Sequence, residues 1–296
     1  FGSSLADVGN ASRADPHGVL VSHGQDADSY VPVAPLELGR MYYWRVDRVS
    51  SADASIHKGF VWNFATEAIG TPIGHVAATA SSSWTDSDPQ HTADGSGLLE
   101  GDLHTTSMAD MWLSAPDGPQ PIWIQYEFER PYKLHEMQVW NYNSAFEDLL
   151  GYGFREVTLT FSDDGKNWES LGEVEFARAP AQHGYSCNTI VGLAGIKAKF
   201  IQLTANSNWN GMLPQYGLSE VRFLRIPTYA DDPQPADGKD NVDIEAGLRW
   251  RSGREAVSHE ICFGTDKESV TRGEAFIDTV KETSFRPGTL DLGRVY

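Results

Sequence analysis

Ile122-Trp123-Ile124-Gln125-Tyr126-Glu127-Phe128 is a strand-like run, and it opens a series. Further runs follow at short spacing over residues 134–140, 156–161, 198–204 and 218–226. After the third of these comes Ser162-Asp163-Asp164-Gly165-Lys166-Asn167-Trp168, a turn that carries an Asp-Gly and ends on a large aromatic. An Asp-Gly between apolar runs is a strong short-range hairpin signal, because both residues tolerate positive φ. The series predicts an antiparallel all-β sandwich over residues 70–227.

Outside this segment the chain repeats itself. Phe1-Gly2-Ser3-Ser4 with Val8 matches Phe263-Gly264-Thr265-Asp266 with Val270, and Leu36-Glu37-Leu38-Gly39-Arg40-Met41-Tyr42 matches Leu290-Asp291-Leu292-Gly293-Arg294-Val295-Tyr296. The first copy is longer between these anchors, with a polar loop insertion around His23 to Ser29. It continues into Tyr43-Trp44-Arg45-Val46-Asp47-Arg48-Val49 and Val61-Trp62-Asn63-Phe64, which alternate large apolar with polar residues as half-buried strands do. The second copy has an opening that the first lacks, including Gly247-Leu248-Arg249-Trp250 and His259-Glu260-Ile261-Cys262-Phe263. Residues 228–296 joined to residues 43–66 amount to about one Ig-like sandwich of roughly 100 residues. The expected organisation is a partial sandwich at 1–68, a central domain at 70–227 and a second partial sandwich at 228–296. On this reading the sequence starts inside one sandwich and stops inside another. No segment sustains a helical apolar period, so helix is expected to be minor.

The net charge of −18 repels nucleic acid and anionic membrane surfaces, since phosphate binding needs clustered Lys and Arg. No stretch approaches the roughly 18 apolar residues of a membrane helix, so membrane insertion is not expected. A neutral sugar or a protein surface suits the charge better. The two cysteines, Cys187 and Cys262, fall in different expected domains and read as small buried thiols. Phe1 opens the sequence without an initiator Met or a leader, which places any signal peptide outside it.

The central motifs resemble a known family. Ala78-Thr79-Ala80-Ser81-Ser82-Ser83, Ala93-Asp94-Gly95, Trp123-Ile124-Gln125-Tyr126-Glu127-Phe128, Phe161-Ser162-Asp163-Asp164-Gly165-Lys166-Asn167-Trp168 and Phe200-Ile201-Gln202-Leu203-Thr204 stand in the order seen in discoidin, or coagulation factor 5/8 type C, domains. That family overlaps carbohydrate-binding module family 32. Tyr216-Gly217-Leu218-Ser219-Glu220-Val221-Arg222-Phe223 matches its final strand. The flanks are similar to fibronectin-III or Ig-like modules of large exported planctomycete-type bacterial proteins. The resemblance implies an eight-stranded jelly roll between two partial sandwiches, extracellular and non-catalytic, in a carbohydrate-binding or cell-adhesion role. It also implies a structural Ca2+ held by Asp94, backbone oxygens from Ala93 onward, and Glu220. Ser96, Thr105 or Thr106 would complete the site, the insertion at 98–104 leaving the choice open. Hard oxygen donors of this kind suit calcium; the plainer reading is an Asp-Gly turn and a surface Glu.

Two loop-like stretches carry the candidate ligand groups. One runs from Asn141, Tyr142 and Asn143 to Glu147; the other holds Asn208, Trp209 and Asn210 and leads to Tyr216. Trp84 and His91 lie in the early loop that neighbours them in such domains. Sugar recognition needs an aromatic ring to stack on and polar groups to fix hydroxyls. Each residue also has a structural reading: the asparagines as turn formers, His91 as a loop or calcium-flanking residue. Trp123, Trp140 and Trp168 sit in or beside strands and read as core. No HExxH, GxSxG or P-loop occurs, and the acidic pairs Asp163-Asp164 and Asp231-Asp232 fall in a turn and a linker, so catalysis is not expected. A glycan is the expected partner. The alternative is a structural unit of a filament or surface layer, in which the Ig-like ends meet neighbouring domains or copies by strand pairing.

Overall fold

The computed structural model describes residues 1–296, and its contacts divide the chain into two units, Phe1–Ile69 and Gly70–Tyr296. In the first unit, Ser4 caps helix α1 (Leu5–Asn10) by accepting a hydrogen bond from the Asp7 amide, which satisfies an otherwise orphaned helix N–H. Strand β1 (Met41–Arg45) is followed by the short ribbon β2 (Arg48–Val49) and β3 (Ile56–His57), then by β4 (Val61–Ala65). β1 and β4 pair antiparallel, with Trp44 opposite Trp62 and Tyr42 opposite Phe64. The Arg45 guanidinium, at the end of β1, donates to the carbonyls of Val8, Gly9 and Ala11 and to the Asp47 carboxylate. Val8 and Ala11 are the buried hydrophobic residues of this unit.

The second unit holds the main core. Its strands are β5 (Thr71–Pro72), β6 (Val76–Ala80), β7 (Leu98–Leu99), β8 (Leu103–His104), β9 (Trp112–Leu113) and the long β10 (Trp123–Asn141). Helix α2 (Glu147–Leu150) then precedes β11 (Glu156–Ser162), β12 (Glu169–Glu175), β13 (Thr189–Gly192), β14 (Lys197–Ala205) and β15 (Gly217–Arg225). The first half of β10 lies between β6 and β14, and β14 leads on through β11 to β12. Past an irregularity between Glu127 and Tyr132, the second half lies between β13 and β15, and β15 also pairs β5 and β9. One strand therefore serves both layers of the sandwich. The fold is all-β. Nine strands are hydrogen-bonded here where the resemblance implied eight; β5 and β9 are two-residue edge pieces.

The core explains why this pattern folds. Trp112, Tyr126, Phe128, Phe154, Phe176 and Phe223 are fully buried between the layers. Each such side chain contributes about 2–3 kcal/mol on leaving water. Trp140, also buried, packs in a satellite cluster with Ala179 and Tyr185. Trp123 and Trp168, also read as core, are half-buried. Gln90 pins the turn after β6 by taking the Ala78 amide and donating to the Val76 carbonyl, which occupies backbone groups on an edge strand.

Beyond β15 the chain forms β16 (Asp231–Gln234), β17 (Leu248–Arg251), β18 (His259–Cys262), α3 (Lys267–Thr271), β19 (Phe276–Val280) and β20 (Ser284–Phe285). These make one three-stranded sheet, β16-β17-β20, and one ribbon, β18-β19. Lys133 bonds both Glu255 carboxylate oxygens at 2.7 Å, and Arg130 stacks 4.2 Å from the Tyr229 ring centre. Both cysteines are free and half-buried. No helix is long and apolar enough to cross a membrane.

Candidate functional site

Ser162 and Asp164 hold the Asp-Gly turn, accepting from the Asp164, Gly165, Lys166 and Asn167 amides. Loops 81–88, 141–155, 176–188 and 206–216 gather where β6, β11, β14 and both ends of β10 open out. Their connections are explicit: Phe154 bridges Asn208, Gly153 bridges Gly217, and Trp84 donates its amide to the Leu113 carbonyl.

Asn141, Asn143 and Asn208 fix these loops from inside. Asn141 is fully buried; its amide donates to the Phe154 and Ala177 carbonyls and its oxygen accepts from the Tyr142 N–H. Asn143 donates to the Thr105 and Gln182 carbonyls and accepts from the Gln182 amide. Asn208 donates to the Leu213 and Gln215 carbonyls and accepts from Gly211. Glu147 is buried as well, with its two oxygens accepting from the Tyr152 and Gly153 amides. Burial pushes its carboxyl up to about 7, against the pull of those amides and of Arg178. Tyr142 is buried to 0 % exposure. The expectation that these five residues line a ligand surface therefore needs correction: they face inward, because loops this long need buried side chains to satisfy their backbone groups.

The remaining candidates are placed differently. Trp84 is 45 % exposed. Trp209 is half-buried, with the Arg155 guanidinium 5.0 Å from its ring centre. Asn210 is exposed and donates to the Leu149 carbonyl, tying its loop to α2. Tyr216 is half-buried, its ring edge-on to Phe154. His91 is half-buried in a 3-10 turn on the flank of β6, and its Nδ1 has no partner. Exposed apolar side chains, Phe146, Leu149, Met212 and Leu213, sit on the loops that Asn210 joins.

A second feature lies beside β15. Glu220 is 2 % exposed, its Oε2 has no hydrogen-bond partner, and it shares with Ala93, Asp94 and Gly95 a cleft of about 220 Å³. Burial pushes this carboxyl up to about 8, and the neighbouring Asp94 charge adds to that, while Arg222 and the Gly95 amide oppose it. Arg222 Nε is 3.7 Å from Glu220 and its Nη1 is 2.8 Å from Asp102. The insertion at 98–104 closes as the hairpin β7–β8, so that the Thr105 amide donates to the Gly97 carbonyl. Buried His104 bridges the Ser96 and Thr105 carbonyls, each at 3.0 Å, and burial pulls its imidazole down. Side-chain carboxylates are thus two, and no group of three or more His, Cys, Asp or Glu is arranged for a metal. An orphaned buried carboxylate oxygen beside a second carboxylate and a loop of carbonyls is nevertheless a donor set that fits calcium.

Residues 77–216 match the F5/8 type C domain. The match covers the quoted motifs from Ala78 to Thr204 and stops at Tyr216, one residue before β15. No curated protein sequence matches the chain. Among solved structures it is similar to the CBM32-3 module of a family 31 glycoside hydrolase from Clostridium perfringens, at 15 % identity and a TM-score of 0.42, over 53 % of this chain and 95 % of that one. The family 32 module of C. perfringens NanJ in complex with galactose gives 15 % identity and a TM-score of 0.38, over 53 % and 100 %. Chitosan-binding module 1 of a chitosanase/glucanase from Paenibacillus sp. IK-5 gives 17 % and 0.37, over 52 % and 98 %.

Sequence reasoning missed four residues that the structure places beside these features: His104, Arg155, Arg178 and Arg222. Arg222 was accessible in principle, since i and i+2 on a strand share a face with Glu220. The other three depend on loop closure, which leaves no period in the sequence.

Proposed function

We propose that the F5/8 type C domain is a non-catalytic, extracellular glycan-binding module, and that its ligand surface is the loop end carrying Trp84, Trp209, Asn210 and the edge of Tyr216. The observation that carries this reading is the combination of a family match over 77–216 with an exposed Trp84 and a half-buried Trp209 on a frame fixed from inside by three buried asparagines. A rigid frame lowers the ordering cost of stacking a sugar on an indole face. Calcium belongs to the same proposal: Asp94, Glu220 and carbonyls from Ala93 and Ser96 would hold it. Bound there, it supplies positive charge that compensates the buried Glu220. The same frame reaches the ligand loops, because the Asn143 amide N–H donates to the Ser219 hydroxyl and its side chain to the Thr105 carbonyl.

The test is a glycan-array screen of the full chain with and without EDTA, followed by titration with galactose. Loss of array binding in Trp209→Ala or Trp84→Ala, with unchanged melting temperature, is the expected result. A blank array for the unaltered chain would sink the reading. For calcium, a thermal shift on adding the ion should be present in the natural sequence and gone in Glu220→Gln; a shift that survives the substitution puts the ion elsewhere.

A further inference from the structure

Trp209 stands on a loop closed by Asn208, and a cation from outside that loop lies over its ring. Arg155, the residue between Phe154 and β11, places its guanidinium 5.0 Å from the indole centre. Its Nε is 3.4 Å from the Glu175 carboxylate on β12, and its backbone is held at both ends, by the Ser207 carbonyl and the Phe176 amide. The main chain of Arg155 is thus bonded to the stretch that carries Trp209, and its side chain is anchored on a neighbouring strand. Cations over indole faces attract through the ring quadrupole, and the planar guanidinium lies flat on the ring as an ammonium cannot.

Building on the glycan-binding reading, we propose that Arg155 is the positioning residue of that site: it covers one face of Trp209 and presents the other to a pyranose. A ring held on one side offers a single stacking face and a single orientation, so the ligand meets a pre-organised platform. Arg155 acts through Trp209 and not by touching the sugar. This fits its Glu175 partner, which draws the guanidinium toward β12.

Five chains are compared: natural, Arg155→Ala, Arg155→Lys, Trp209→Ala and, as control, the Arg155→Ala/Trp209→Ala double variant. Each is titrated with galactose and with the glycan bound most strongly on the array, and its near-ultraviolet circular dichroism is recorded. Arg155→Ala should bind roughly threefold to tenfold more weakly, with Arg155→Lys between it and the natural chain. It should add nothing in the Trp209→Ala background. The indole band, taken as natural minus Trp209→Ala, should shrink in Arg155→Ala without any ligand. If Trp209→Ala abolishes binding while Arg155→Ala leaves both binding and the band intact, the positioning role is wrong and the glycan reading stands. If neither variant changes binding, the positioning role falls and the glycan reading rests on Trp84; if no glycan binds, both fall.

Discussion

A buried asparagine has four hydrogen-bonding positions, and Asn141 uses three of them on the protein itself. Leaving two carbonyls and an amide without it costs about 1–3 kcal/mol each. Asn141→Ala should therefore lower the unfolding free energy by about 3 kcal/mol or more, read from urea denaturation of the full chain; a change below about 1 kcal/mol would contradict the packing described. Glu147 gives a prediction of the opposite character. Its carboxyl is raised from the ordinary value to about 7 by burial, so the folded state prefers the protonated form. That contribution is complete below the unfolded pKa near 4.5 and is lost as pH rises through about 7, for at most about 3 kcal/mol. Melting temperature should fall over this window more steeply in the natural chain than in Glu147→Gln, and parallel curves would refute it. Neither residue announced itself. An asparagine in a loop looks the same whether it forms a turn, touches a ligand or fills a core, and burial decides among the three.

At the scale of elements, the hairpin β7–β8 shows how an insertion preserves a loop. Its two-residue strands bring Thr105 back beside Gly97, so the chain on either side continues as though nothing had been added. Gly97 makes this possible: its φ is +72°, and a Cβ there would lie 2.7 Å from the His104 ring. Gly97→Ala should cost about 1–3 kcal/mol through strain and crowding combined. It should also weaken the calcium-induced thermal shift, because His104 links the Ser96 and Thr105 carbonyls. An unaltered shift at unaltered stability would argue that the hairpin is independent of the cation loop. The strands themselves were legible: the runs at 122–128, 134–140, 156–161, 198–204 and 218–226 lie within β10, β11, β14 or β15 or overrun one end by a single residue. Continuity was not, since 122–128 and 134–140 belong to a single strand. Residues 129–133 between them carry no alternation that would reveal it.

At the scale of the whole molecule, burial is unevenly shared. Phe1–Ile69 buries Val8 and Ala11, and leaves Trp44 and Trp62 39 % and 45 % exposed with their ring centres 4.7 Å apart. Gly70–Tyr296 contains the aromatic sandwich core. Stability follows buried apolar area, so the first unit should unfold at lower temperature and with less cooperativity than the sandwich core. The sandwich was readable from alternation and turn chemistry, whereas the thinness of the first unit was not, because Tyr43-Trp44-Arg45-Val46 reads as half-buried whether or not a second layer covers it. Scanning calorimetry of the full chain should show separate transitions. If calcium binds at Asp94 and Glu220, it binds a folded state whose core lies in the second unit. At a concentration 100 times its dissociation constant it stabilises that unit by about 2.7 kcal/mol, while the first transition stays in place. In Glu220→Gln neither transition should move on adding calcium. One shared transition, or two that shift together, would mean that the units fold as one cooperative body and that residues 1–69 draw their stability from the sandwich.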